Sequence, residues 1–241
     1  MKRNYSTTFL LLFFLLITTS SNAQIRGLSV GFGGSLNHFQ RSENDPYLQH
    51  FSQVLPHFHL KLETSDLNGF IGQVQTNFYM KQIRLGYRYK NAAGGTNTEG
   101  FHHDYISSDV VISAAHNYRI NGLTRLRPRL GFFVSFNQHI GTTDYSGVSG
   151  GGSNNSSQAM YYFDIETSDS PFFIYPGIFL GFSTLRYVGN RNRGYSLFAD
   201  LYLAPRNIFS NPFEYTINGS SMELQGKYHY LNMGLRVDLY Q

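Results

Sequence analysis

Cysteine and tryptophan are both absent from this chain of 241 residues, and only 14% of it is charged. Without cysteine there is no disulfide, no thiolate ligand for a metal and no residue to carry a lipid after an export signal. A long apolar run is missing too. The one continuous run, Phe9 to Ile17, is far shorter than the roughly 20 residues a membrane helix needs, so a helical membrane protein is excluded. The formal charge of +4 falls to +2 once Lys2 and Arg3 are set aside, which implies no basic surface for nucleic acid.

What the chain does contain starts with an export signal. Lys2 and Arg3 form a positive n-region, Phe9 to Ile17 an h-region, and Ser21-Asn22-Ala23 a small-residue cleavage site. Residues 1–23 therefore read as a cleaved signal peptide, and residues 24–241 as one domain.

Beyond it the sequence alternates. Leu231 to Gln241 sets Leu231, Met233, Leu235, Val237 and Leu239 against Asn232, Gly234, Arg236, Asp238 and Tyr240. A strict period of two describes a strand with one apolar and one polar side. Seven earlier segments read the same way: Leu28 to Asn37, Leu55 to Ser65, Phe70 to Tyr89, Tyr105 to Tyr118, Arg127 to Asn137, Phe172 to Leu185 and Tyr195 to Ala204. In the third, Phe70, Val74, Phe78 and Met80 give way to Ile83, Leu85, Tyr87 and Tyr89, opposite Arg84 and Arg88. That slip of phase predicts a β-bulge.

Connections alternate as well. Asp66 to Gly69, Arg119 to Leu126 and Arg186 to Gly194 are short and carry turn chemistry in Asn68-Gly69, Asn121-Gly122 and Gly189-Asn190. Phe39 to Val54, Lys90 to Asp104, Gln138 to Pro171 and Pro205 to Gln225 are long and polar. Short turns at one end and long loops at the other are the pattern of an outer-membrane barrel, turns in the periplasm and loops outside. Tyr118, Tyr187 and Tyr195 fall near the turn end, and Tyr89 and Tyr105 near the loop end, where aromatic girdles are expected.

A soluble lipocalin-like barrel shares the alternation turned inside out. Three features separate the two. The polar face mixes Gln73, Gln75, Asn77, Arg84, Arg88, Asn137, Asp200, Arg236 and Asp238 with small residues such as Gly31, Ser35, Gly131 and Ser135, which suits a packed lumen better than a wet exterior. The apolar stripe is bulky on nearly every strand. The Gly-x-Trp of lipocalins is missing.

Asn232-Met233-Gly234-Leu235-Arg236-Val237-Asp238-Leu239 resembles the C-terminal β-signal read by the barrel-assembly machinery, although the chain ends in Gln241 and not in an aromatic residue. With Gly31-Phe32-Gly33-Gly34 on the first strand, the mature chain resembles the small eight-stranded outer-membrane barrels (PorT-like, OmpA/OmpX-like) of Bacteroidota. That resemblance implies an outer-membrane location and, for some members, a part in protein secretion.

Residues with possible chemistry are few. His57 and His59 share a strand face, and His102-His103-Asp104 reads as a loop tip; either could offer zinc ligands. An enzyme acting on lipid A or peptides would need a nucleophile beside a base, and the available pairs are Ser113 with His116 and Ser135 with His139. No diagnostic motif accompanies any of these, so the expectation is no enzyme, no metal, no cofactor and no catalytic residue. Gly31-x-Gly33-Gly34 lies inside a strand and is no nucleotide loop. Gly147 to Gln158 reads as a flexible tip, with Tyr161-Tyr162-Phe163 behind it as a candidate contact patch. At eight strands the lumen is only wide enough for side chains, and Arg84, Arg88, Arg236, Asp200 and Asp238 are expected to fill it.

The sequence thus predicts an all-β protein: a monomeric, eight-stranded antiparallel up-and-down transmembrane β-barrel with short periplasmic turns and long extracellular loops. Its expected partners are outer-membrane lipid, the assembly machinery during insertion, and an extracellular or envelope protein met by the loops. N-terminal sequencing of the protein extracted from membranes should begin at Gln24; a start at Met1 would overturn the cleavage assignment.

Overall fold

The computed structural model describes residues 25–41, 48–50, 52–64, 68–90, 96–149, 163–164, 172–188, 193–207, 213–217, 220–224 and 226–240. The proposed signal peptide, Gly189-Asn190 and Tyr161-Tyr162 lie outside them. The described residues form the strands β1 (Ile25–Arg41), β2 (Leu48–His50), β3 (Gln53–Thr64), β4 (Phe70–Lys90), β5 (Thr96–His116), β6 (Tyr118–Arg119), β7 (Thr124–Ser149), β8 (Phe163–Asp164), β9 (Phe172–Val188), β10 (Arg193–Leu203), β11 (Phe213–Ile217), β12 (Ser220–Leu224) and β13 (Gly226–Tyr240).

Eight of them close into a ring of antiparallel neighbours, β1–β3–β4–β5–β7–β9–β10–β13 and back to β1. A walk through paired residues measures the stagger. From Asn37 it passes Tyr230, Tyr202, Phe179, Gly131, Ser113, Gln73 and Glu63, and returns to β1 at Gly27, ten residues before its start. Eight strands with that shear, at ordinary strand spacing and rise, tilt by about 40° and enclose a cylinder of about 8 Å radius at the backbone. Every residue on that walk faces the lumen, which leaves room for side chains and little else.

The outer face between the rims is predominantly apolar. Phe132 is 73% exposed, Leu197 63% and Leu130 61%. Outward positions of the eight strands at this level include Leu28, Phe32 and Leu36 on β1, Ile174, Ile178 and Phe182 on β9, and Met233, Val237 and Leu239 on β13. No Asp, Glu, Lys or Arg points outward in this band among the described residues. A charge there would cost about 2–4 kcal/mol at the bilayer midplane. A soluble barrel inverts this arrangement, so the lipocalin-like alternative is set aside.

The first and last strands form the closing seam, where Gly33 stands opposite Gly234. The close approach explains both glycines: a Cβ on Gly33 would lie 1.9 Å from the Met233 carbonyl oxygen, and one on Gly234 would lie 2.1 Å from that of Phe32. At the turn end, Asn68 (φ 55°) and Gly69 (φ 88°) adopt the left-handed pair of a tight hairpin. Asn121 Oδ1 accepts from the backbone N–H groups of Leu123 (2.9 Å) and Thr124 (2.8 Å), which explains that turn.

Four expectations are corrected. No bulge interrupts β4: its pairing with β5 runs unbroken from Phe70↔His116 to Lys90↔Thr96. Ile83 instead continues the inward face and is buried, while Arg84 points outward and does not fill the lumen; the Arg88 side chain lies outside the described residues. The irregularities fall between β5 and β7 at Asp104/Tyr105, between β1 and β13 at Leu28/Ser29, and between β1 and β3 at Ile25/Gly27. Lys90 to Asp104 and Gln138 to Ser149 are not wholly loop, since β4, β5 and β7 keep pairing as far as Thr96↔Ser149. These strands project about 30 Å of chain beyond Tyr105, at the rise of an extended strand. Tyr105 and Tyr187 are buried, inside the barrel and not in a girdle, whereas Tyr118 and Tyr195 face outward as expected.

Above the rim, β2 adds to β4 through Leu48↔Tyr87 and His50↔Leu85. A second sheet joins β12, β11 and β8, so the connections after β7 and after β10 meet in it. Gly33→Val should abolish the fast-migrating folded band on an unboiled gel, through a destabilisation of about 3 kcal/mol or more. Gly141→Ala, where a Cβ meets nothing within 4 Å, should leave that band unchanged.

Candidate functional site: the filled lumen

Alternation alone dictates what enters the lumen. Inward positions carry Lys61 and Glu63 on β3, Lys81 on β4, Asp109 on β5, Arg127 and Arg129 on β7, Asp200 on β10, and Arg236 and Asp238 on β13. All nine are buried, five cations against four anions. Isolated charges in such a space would be expensive, so each must find partners.

They do so in three levels. Nearest the turns, Glu63 is held by Lys61, by Gln73 (Nε2 at 2.8 Å) and by Arg127, whose Nη1 donates to both carboxylate oxygens at 3.1 Å. The Ser29 hydroxyl donates to Asp238. At the middle, Arg129 is paired with Asp200, and Arg236 Nη2 approaches the other Asp200 oxygen at 3.7 Å. Arg129 Nη1 also donates to Gln75 Oε1 at 3.1 Å.

Toward the loops, Lys81 donates to Ser135 (2.6 Å), Asn137 (2.9 Å) and the Tyr175 hydroxyl (2.7 Å), and lies 3.6 Å from Asp109. Four tyrosine rings surround its ammonium at 4.8–5.4 Å: Tyr79, Tyr175, Tyr228 and Tyr230. Tyr79 and Tyr230 both donate to Asp109. Tyr202 stacks on Tyr230 with centroids 4.3 Å apart, and the Phe133 ring meets both edge-on. This level is a solid layer of rings around one ion pair.

The two histidine groups come out differently. His57 and His59 share the inward face as expected; their Nε2 and Nδ1 atoms lie 3.1 Å apart and their rings stack. Arg236 Nε donates to His59 Nε2 at 2.8 Å, so that nitrogen is occupied as an acceptor. His102, His103 and Asp104 are not a loop tip. They lie within β5, where His103 is buried and His102 turns to the other face, 3.4 Å from Asp104. Among the described residues no group of three or more His, Cys, Asp or Glu could hold a metal ion.

Neither nucleophile–base pair assembles. Ser113 points into the lumen while His116 lies on the opposite face against Phe70 and Tyr118. Ser135 is engaged by Lys81 and Asn137, and the His139 ring packs on His103 and Tyr105. The sequence reading placed Asp200, Arg236 and Asp238 in the lumen but overlooked Lys81, Asp109, Arg127 and Arg129. Their parity alone would have found them.

A closed ring of eight tilted strands, an uncharged apolar outer band and a paired, charged interior define an outer-membrane β-barrel. The protein is one, and lies in the bacterial outer membrane. No family model matches the chain, and no curated protein matches it. Among solved structures it is similar to the outer membrane protein OprG of Pseudomonas aeruginosa (8% identity, 91% of this chain and 98% of that one, TM-score 0.47). It is also similar to Ail, the attachment invasion locus protein of Yersinia pestis, solved with the heparin analogue sucrose octasulfate (10% identity, 87% and 96%, TM-score 0.38). The outer membrane protease OmpT of Escherichia coli matches at 8% identity (90% and 97%, TM-score 0.39). At these values the likeness assigns no role to this chain.

Asp200→Ala should lower the unfolding free energy in detergent by about 3 kcal/mol or more, because Arg129 and Arg236 would be left as buried cations without their anion. Guanidinium titration of the refolded barrel measures it, and an unchanged midpoint would refute the account.

Proposed function

We propose that this outer-membrane barrel is a structural or interaction protein, monomeric and non-enzymatic, which meets an extracellular or envelope protein through the chain beyond its outer rim. The observation that carries the reading is the filled lumen. Paired charges and stacked rings occupy it from the Glu63 level to the Lys81 level, which argues against passage of a solute. The extended sheet of β4, β5 and β7 above the rim, widened by β2, is the broadest backbone platform outside the membrane band among the described residues.

The reading includes export by residues 1–23 and kinship with the small PorT-like barrels of Bacteroidota, which the first and last strands resemble. A hydrolase acting on lipid A or peptides is the competing reading, and the separation of Ser113 from His116 speaks against it. Membership in a secretion apparatus would fit the same surface.

A photo-crosslinking amino acid placed at Thr98, Ser146 or Val148 in cells of the native host should give a discrete adduct with an envelope protein. The same group at Leu130, in the apolar band, should give none. Absence of any adduct from all three outer positions would refute the interaction role.

A further inference from the structure

The buried charges of the lumen, five cations and four anions, leave one positive charge over among the described residues. The excess falls at the middle level, where Asp200 is shared by Arg129 and Arg236. Glu63 and Asp238 also attract Arg236, from nearer the turns, and both are already in that count. The Arg236 guanidinium is wholly buried, and neither Nη1 nor Nη2 makes a hydrogen bond; Nη2 comes only within 3.7 Å of Asp200. A buried cation in that state is costly.

Further unpartnered groups gather on the same side of the bore. Asn232 on β13 stands between two register partners, Asp200 on β10 and Ser35 on β1, and neither atom of its buried amide makes a hydrogen bond. The next inward residue after Ser35, Asn37, accepts from the Ser35 hydroxyl at 3.2 Å through Oδ1, and its Nδ2 has no acceptor. The inward residue before Ser35, Gly33, stands opposite His57 on β3. The proton of His57 is placed by its neighbours. Arg236 Nε donates to His59 Nε2 at 2.8 Å, so a neutral His59 carries its proton on Nδ1, 3.1 Å from His57 Nε2. A neutral His57 therefore carries its own proton on Nδ1, which is buried and makes no hydrogen bond, although the Gly33 carbonyl lies near the ring. The unmet atoms here are thus almost all donors: Asn37 Nδ2, His57 Nδ1, Asn232 Nδ2 and both Arg236 Nη atoms, against the single acceptor Asn232 Oδ1. Water would bring donors of its own that find few acceptors, whereas an anion brings none.

We propose that Asn37, His57, Asn232 and Arg236 bind one small monovalent anion, a halide, beside the closing seam. One excess positive charge calls for one negative charge, and a bore this full of side chains suits a monatomic ion better than phosphate or sulfate. The ion ties β1, β3 and β13 together where the first strand meets the last. The site belongs to the lumen and stands independently of any partner at the loop end.

The test takes the protein extracted from membranes, unfolds it in urea and refolds it in detergent with sodium chloride or sodium gluconate at equal ionic strength. The unfolding midpoint, read as the temperature at which the fast-migrating gel band is lost, should be about 5 °C higher in chloride. Asn232→Asp supplies the missing negative charge in place, so this variant should fold and show one midpoint in both salts. Wild-type crystals grown in bromide should show anomalous density between Asn37, His57 and Asn232. Equal wild-type midpoints in the two salts would overturn the site, and so would a chloride dependence that persists in N232D. Should N232D not fold, the wild-type bromide position decides. Bromide found only on the protein exterior, an adventitious ion only, would overturn the site and leave the lumen hydrated.

Discussion

A backbone amide left without a partner in hydrocarbon costs several kcal/mol, and everything in this molecule follows from avoiding that cost. A sheet has two edges, so it must bring its first strand to its last. Here β1 meets β13 along its length, from Leu28↔Tyr240 to Arg41↔Gly226. Closing eight strands with a stagger of ten residues sets the tilt, and the tilt sets a narrow bore. The seam can close only because Gly33 and Gly234 leave space for each other's backbone. A narrow bore must then be filled with side chains, and alternation makes the filling polar because the other face is committed to lipid.

A polar filling in so confined a space is tolerable only as a connected set. Glu63 serves Lys61 and Arg127, Asp200 serves Arg129 and Arg236, and Asp109 serves Lys81, Tyr79 and Tyr230. Sharing an anion among several donors keeps its charge matched while using few carboxylates, and the tyrosine rings around Lys81 supply attraction without further desolvated anions. The lumen is therefore the counterpart of a hydrophobic core. It gives the barrel its rigidity.

The membrane-crossing parts of the fold were legible in the sequence for a physical reason. In the bilayer one face must be apolar and the other is confined, so a period of two is enforced, as in Leu231 to Leu239. Above the rim lipid no longer enforces an apolar outward face, and the constraint weakens. Thr96 to Asp104 and Gly141 to Ser149 carry mixed residues and read as loop, yet pair as strand. The apparent slip at Ile83 has the same origin. Once β4 leaves the lipid, an apolar residue finds cover inside among the rings, and Arg84 can face out. Tyr105 and Tyr187 were assigned to girdles by their height along the strand, whereas their parity, shared with Ser107 and Leu185, places them inside. His103 likewise follows parity and not the polarity of its neighbours.

The two rims differ from the wall between them, which is filled with paired polar side chains inside and is apolar outside. At the turn end, short connections carry exposed apolar residues such as Tyr118, Ile120 and Leu123. At the loop end, three strands continue past the lipid with their backbones still paired. There the backbone ladder from Asp104↔Gly141 to Thr96↔Ser149 supplies the stiffness. A backbone already held in paired strands loses little further conformational entropy when a partner docks, which favours useful affinity from a modest contact area. A filled lumen and a paired outer sheet are therefore two consequences of one architecture, and both support the proposed role in contact at the surface.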